Sequence, residues 1–79
     1  MDEKLEKELT KDIIVNAKAL GIPIGAAELF ADKIMAEVKK SIKGKKIITN
    51  DDLDRYIATA ARKYNADLAY VYKIRGRII

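Results

Sequence analysis

The 79-residue sequence has no cysteine, no histidine and no tryptophan, and it has one proline, one phenylalanine and four glycines. Each absence closes a class of chemistry. Without cysteine there is no disulfide framework, thiol nucleophile or thiolate metal site, and without histidine the commonest zinc ligand and the usual neutral-pH proton shuttle are missing. Carboxylates and cations remain, so the expectation is a protein that is not an enzyme and holds neither a metal nor a cofactor. No apolar run approaches the roughly 20 residues of a membrane span, and the acidic opening is unlike a secretory signal, so a soluble cytoplasmic protein is expected. Abundant Lys, Ile and Ala without these residues would suit a heat-adapted source.

A chain this short forms one small domain, residues 1–79, burying about three fifths of the surface its unfolded form exposes. Periodicity predicts an all-α, four-helix bundle-like domain with helices near 4–20, 25–42, 50–63 and 66–74. In the first, Leu5, Leu9, Ile13, Ala17 and Leu20 share one face. Asp2 to Asp12 carry a net charge of −2, leaving +6 for the rest. Residues 1–9 are candidates for fraying, with Thr10 a second possible cap. Gly21 can adopt the left-handed conformation that ends a helix, and Pro23 cannot continue it.

Gly25, followed by Glu28, resembles a capping-box start for the second helix. Its stripe is Phe30, Ile34, Met35, Val38 and Ile42, joined by Ala26, Ala27 and Leu29, and Phe30 is expected at the core centre. After a Lys-rich link broken by Gly44, Ile47 and Ile48 lead to a third helix capped by Thr49 or Asn50. Leu53, Ile57, Ala60, Ala61 and Tyr64 form its apolar face, with Arg55, Thr59 and Lys63 outward. Asn65 caps the fourth, which buries Leu68, Val71 and Tyr72 and leaves Tyr70 turned away. Residues 74–79 read as a flexible tail or one short strand. The expected core is Leu9, Ile13, Leu20, Phe30, Ile34, Val38, Leu53, Ile57, Leu68 and Val71.

Two constellations could contact phosphate. Lys39, Lys40, Lys43, Lys45 and Lys46 form a run with no acid between Glu37 and Asp51. Around Gly44 a backbone can approach an anion, but GxxxxGK[ST] is absent. Tyr70, Tyr72, Lys73, Arg75 and Arg77 interleave rings with cations, the combination that binds single-stranded nucleic acid. Set against both is the plain reading of a solvated helix end and a core tyrosine. Tyr72 fits the core, so the candidate phosphate contacts are Lys39, Lys40, Lys43, Lys45, Lys46, Tyr70, Lys73, Arg75 and Arg77. Asp51, Asp52 and Asp54 could in principle meet a magnesium ion, but helix capping and dipole complement account for all three.

From Lys11 to Lys73 the order of elements resembles the helical part of the ATP-cone, a small nucleotide-binding regulatory domain of ribonucleotide reductases and of a bacterial repressor of their genes. The similar pieces are IIVNAKALGIP, ELFADKIMAEVKKSI, IITNDDLDRYIATAARKY and the closing ADLAYVYK, which is similar to the family's Ala-x-x-Tyr-x-x-Tyr-Arg with altered spacing. The family opens with strands carrying a motif like Val-x-Lys-Arg-Asp-Gly, whose cations help hold phosphates. Here MDEKLEKELT stands in that place. The resemblance therefore implies the fold, and the departure implies weak or absent ATP affinity. The functional expectation is a non-catalytic binding or regulatory module for nucleic acid or nucleotide. The alternative is a protein-interaction module, or homodimer, acting through its alanine-rich helical surface.

Overall fold

In the computed structural model, which describes residues 2–45 and 48–75, the chain forms four helices and, among the described residues, no strand. The helices are α1 (Glu3–Ala19), α2 (Ile24–Ile42), α3 (Asn50–Ala61) and α4 (Ala66–Arg75). Each packs on its neighbour in sequence, and α4 returns to touch α1. The result is the expected all-α bundle-like domain.

Local chemistry explains most of the boundaries. Asp2 caps α1 through its side chain, accepting from the Lys4 N–H at 3.1 Å, so the helix opens there and not at Thr10. The Thr10 hydroxyl instead donates to the Glu6 carbonyl. At the other end Gly21 has φ of 87°, the Gly21 N–H donates to Lys18 O and the Ile22 N–H to Ala17 O. This pair of bonds is a Schellman closure, with Ile22 packed against the core as its apolar contact.

The start of α2 differs from the expectation. Pro23 occupies the cap position with no side-chain bond, and Ala27 N–H already donates to Pro23 O, so Gly25 lies inside the helix and Glu28 closes no box. Proline's fixed φ makes the entry without a capping side chain. α3 carries a complete capping box, in which Thr49 Oγ1 accepts from Asp52 N–H at 3.1 Å and the Asp52 carboxylate accepts from Thr49 N–H at 3.2 Å. Asn65 Oδ1 accepts from Leu68 N–H and starts α4, which continues to Arg75. The tail expected beyond it lies, at 76–79, outside the described residues.

Of the expected core, Ile13, Ile34, Val38, Leu53, Ile57 and Leu68 are buried, together with Tyr72. Leu9, Phe30 and Val71 are partly buried and pack on its edge. Leu20 is exposed, because α1 ends at Ala19 and the Schellman turn carries Leu20 outward. Leu29 is exposed as well. On α2 the inward line runs through Ala27, Ala31, Ile34, Met35, Val38 and Ile42. Phe30 lies on its shoulder, stacked on Tyr64 at 5.9 Å between ring centroids, and is not the core centre.

Replacing the fully buried Ile34 by Ala is expected to cost about 2–5 kcal/mol. Phe30→Ala should fall below the roughly 3–5 kcal/mol of a buried phenylalanine. Urea denaturation of both variants checks this ordering, and a Phe30→Ala loss inside that range would place the ring at the core centre after all.

Candidate functional site

The link 62–65 is short enough to fold α4 back on α3, against which it packs. Two outward lines then face each other across the pair. One line is Arg55 and Thr59 of α3 with Arg62 at its C-cap, still in helical conformation, and the other, on α4, is Ala66, Tyr70 and Lys73, each stepping four residues and then three. Between them lies an open groove of about 500 Å³, with Ala58 and Ala69 completing its lining. Both alanines are buried, so they form a floor, and Tyr70 stands beside it with 62% of its surface exposed. Three cations and no carboxylate line the groove. Arg62 and Lys73 have no ion-pair partner among the described residues, while Arg55 reaches Asp52 at 3.5 Å from an exposed position.

Of the nine candidate phosphate contacts, the seven among the described residues do not converge on one site. Tyr70 and Lys73 belong to the groove. Lys39, Lys43 and Lys45 border a second hollow of about 420 Å³ with Gly44 and Ile48. Two of those lysines are engaged. Lys39 pairs with Glu6 of α1 at 2.8 Å, and the Lys45 ammonium lies 5.4 Å from the Tyr56 ring centroid. Lys40 and Lys43 are exposed. Lys46 and Arg77 lie outside the described residues.

Arg75 is engaged elsewhere, in a polar clasp between α1 and α4. Its guanidinium donates to Asp12 at 2.7 Å and sits 5.0 Å from the Tyr72 ring centroid. The Tyr72 hydroxyl donates to the same Asp12 oxygen at 2.7 Å and accepts from the Asn16 amide at 3.1 Å. Burial, reinforced by the hydrogen bond to the Asp12 carboxylate, holds the Tyr72 phenol well above the ordinary tyrosine range. Nearby, burial raises the Asp54 carboxyl and Arg75 opposes it, while backbone hydrogen bonding in the capping box holds Asp52 below its usual value. Of the α3 aspartates, Asp51 and Asp52 lie in the first turn, where their charge complements the helix dipole and Asp52 closes the capping box, and Asp54 lies beyond that turn.

Arg55 and Arg62 are the residues that reading the sequence for acid-free runs misses. Their signal was present as the matched four-then-three spacing on two consecutive helices joined by a short link. Among the described residues no cluster of three or more acidic side chains could hold a metal ion, and no helix is long and apolar enough to cross a membrane. Comparison with family models, curated proteins and solved structures gives no match for this chain.

The clasp makes a pH prediction. An unfolded tyrosine loses its proton near pH ~10, whereas the folded protein retains it on Tyr72, so above that pH the folded state binds more protons and stability falls as pH rises. Below it both states are protonated and the contribution is fully present. Wild type should therefore lose up to about 1.4 kcal/mol per pH unit more than Tyr72→Phe above that pH. Denaturant titrations of both proteins through the alkaline range test this, and parallel stability curves would deny Tyr72 its clasped state.

Proposed function

We propose that this chain is a non-catalytic binding module whose partner bears phosphate, either nucleic acid or nucleotide. The observation that supports it is the α3–α4 groove, where Arg55, Arg62 and Lys73 surround a concave surface that no carboxylate lines. Cations held on two helices that pack together lose less freedom on binding than loop lysines, so a phosphate oxygen meets donors already near their bound positions. Arginine adds a planar fork that matches two phosphate oxygens at once. The exposed lysines at the end of α2 add a diffuse attraction that steers polyanions without specifying them.

A second reading has its own observation. Val15, Leu20, Ile24 and Leu29 are large apolar side chains that α1, α2 and the corner between them leave 43–56% exposed. A protein partner, or a second copy of the chain, would cover them and leave the groove unused.

Amide chemical-shift mapping during titration with ATP, single-stranded DNA, duplex DNA and RNA separates the two. The phosphate reading expects localised shifts from Arg55 to Lys73 at low salt, with ATP binding weaker than micromolar because the groove presents only three cations to a triphosphate. Unmoved groove peaks with all four ligands, together with concentration-dependent shifts around Leu20 and Leu29, would favour the interaction module.

A further inference from the structure

Among the described residues Tyr70 makes no side-chain hydrogen bond, ring stack or cation–ring contact, and it is the most exposed of their large hydrophobic side chains, at 62%, whereas Tyr72 two positions on is fully buried and hydrogen-bonded through its hydroxyl. A tyrosine ring left in water beside cations is a surface on which a planar group can stack, and Tyr70 lines the groove itself. The stacking group must be an unpaired base, because bases inside a duplex already cover each other's faces.

The arrangement of charge around the ring points further. Arg62 is at the link end of the groove, and Arg55 and Lys73 are at the other, since the short link 62–65 folds α4 back on α3 and the two helices pack together. Seven residues at 1.5 Å rise separate Arg55 from Arg62 by roughly 10 Å along α3. Tyr70 lies between these ends. A mononucleotide carries its phosphates on one side of its base and would leave one end unmatched. A strand passing through carries phosphate on both sides of every internal base.

Resting on the phosphate-partner reading above, we propose that the α3–α4 groove binds a single-stranded nucleic acid segment, with one base stacked on Tyr70 and its flanking phosphates held by Arg62 at one end and by Arg55 and Lys73 at the other. The alanine floor suits this. Ala58 and Ala69 offer methyl groups at the bottom of a concavity whose volume of about 500 Å³ is in the range of small-ligand sites, and the Thr59 hydroxyl beside them, which donates to the Arg55 carbonyl at 3.0 Å, can accept from a sugar or base edge. No sequence preference is expected, because every base has a face to stack.

Fluorescence anisotropy with labelled oligothymidylate, oligouridylate and a duplex of equal length, with ATP as competitor, tests the proposal. Single strands should bind more tightly than duplex at the same salt. Tyr70→Ala should weaken single-strand binding about 5- to 150-fold and leave the salt slope unchanged, whereas Tyr70→Phe should retain it. Arg62→Ala should flatten the slope of log K against log salt by about 0.7, the value for one phosphate contact on a single strand. Lys18→Ala, outside the groove, should change neither. All of these positions are exposed, and circular dichroism confirms that each variant is folded. Duplex binding equal to single-strand binding, with Tyr70→Ala silent, would overturn the single-strand assignment and leave the phosphate-bearing partner standing. ATP displacing the oligonucleotide at equal phosphate concentration would overturn the preference for a strand. Absence of binding to every one of these ligands at low salt would overturn both readings.

Discussion

Among the described residues, seven of the sixteen buried apolar side chains are alanines, and an interface built on methyl groups holds two helices only where their backbones come close. Each such contact contributes little dispersion, and much of it is lost across a gap of less than an ångström. A chain of this length with one phenylalanine and no tryptophan has few large groups with which to fill space between helices, so close approach is the available way to a packed interior. Ala17, Ala27 and Ala31 serve α1 and α2, and Ala58, Ala60, Ala61 and Ala69 serve α3 and α4. The larger residues, Ile13, Ile34, Val38, Ile57, Leu68 and Tyr72, then fill what remains.

The same constraint shapes the outer surface. Where two helices meet on alanine, the long side chains on their outward lines stand around a shallow depression, and on α3 and α4 those side chains are cations and a tyrosine. The depression therefore follows from packing, and its chemistry follows from which residues the sequence places at the flanks. The remaining closure, α4 onto α1, uses polar groups. Asp12 accepts from both Tyr72 and Arg75, which gives the buried phenol an acceptor for its proton beside the bond it receives from Asn16. This clasp engages the still exposed Arg75 on Asp12 and leaves Lys73, one face away, to the groove.

Features encoded within a few residues were legible in the sequence. The helix stop at Gly21, the Thr49 cap, offered together with Asn50, and the Asn65 cap each depend on local backbone chemistry and are found, whereas the Gly25–Glu28 start gives way to Pro23, whose fixed φ opens α2 without a capping side chain. The opposite phases of Tyr70 and Tyr72 were also readable, because a helix turns by a known angle per residue. Phe30 and Leu20 were misplaced for a different reason. An apolar stripe is wider than the contact it makes, and only the partner helix decides which members face inward. The basic run from Lys39 to Lys46 showed a related limit, since nothing local reveals that Glu6 of another helix takes Lys39 or that Tyr56 takes Lys45. Arg55 and Arg62 became part of a site through the register of α3 against α4, which no single helix encodes.

In the proposed mode of binding a nucleic acid touches the α3–α4 groove and not the lysine-rich end of α2. Photo-crosslinking of an iodouracil-substituted single strand, followed by mass spectrometry of the peptides, reads the contact directly, because the iodinated base reacts with an aromatic ring stacked against it. The account predicts an adduct on Tyr70 that disappears as salt is raised. Adducts on Tyr56, beside Lys45, with Tyr70 unmodified would contradict it and return the site to the lysine run.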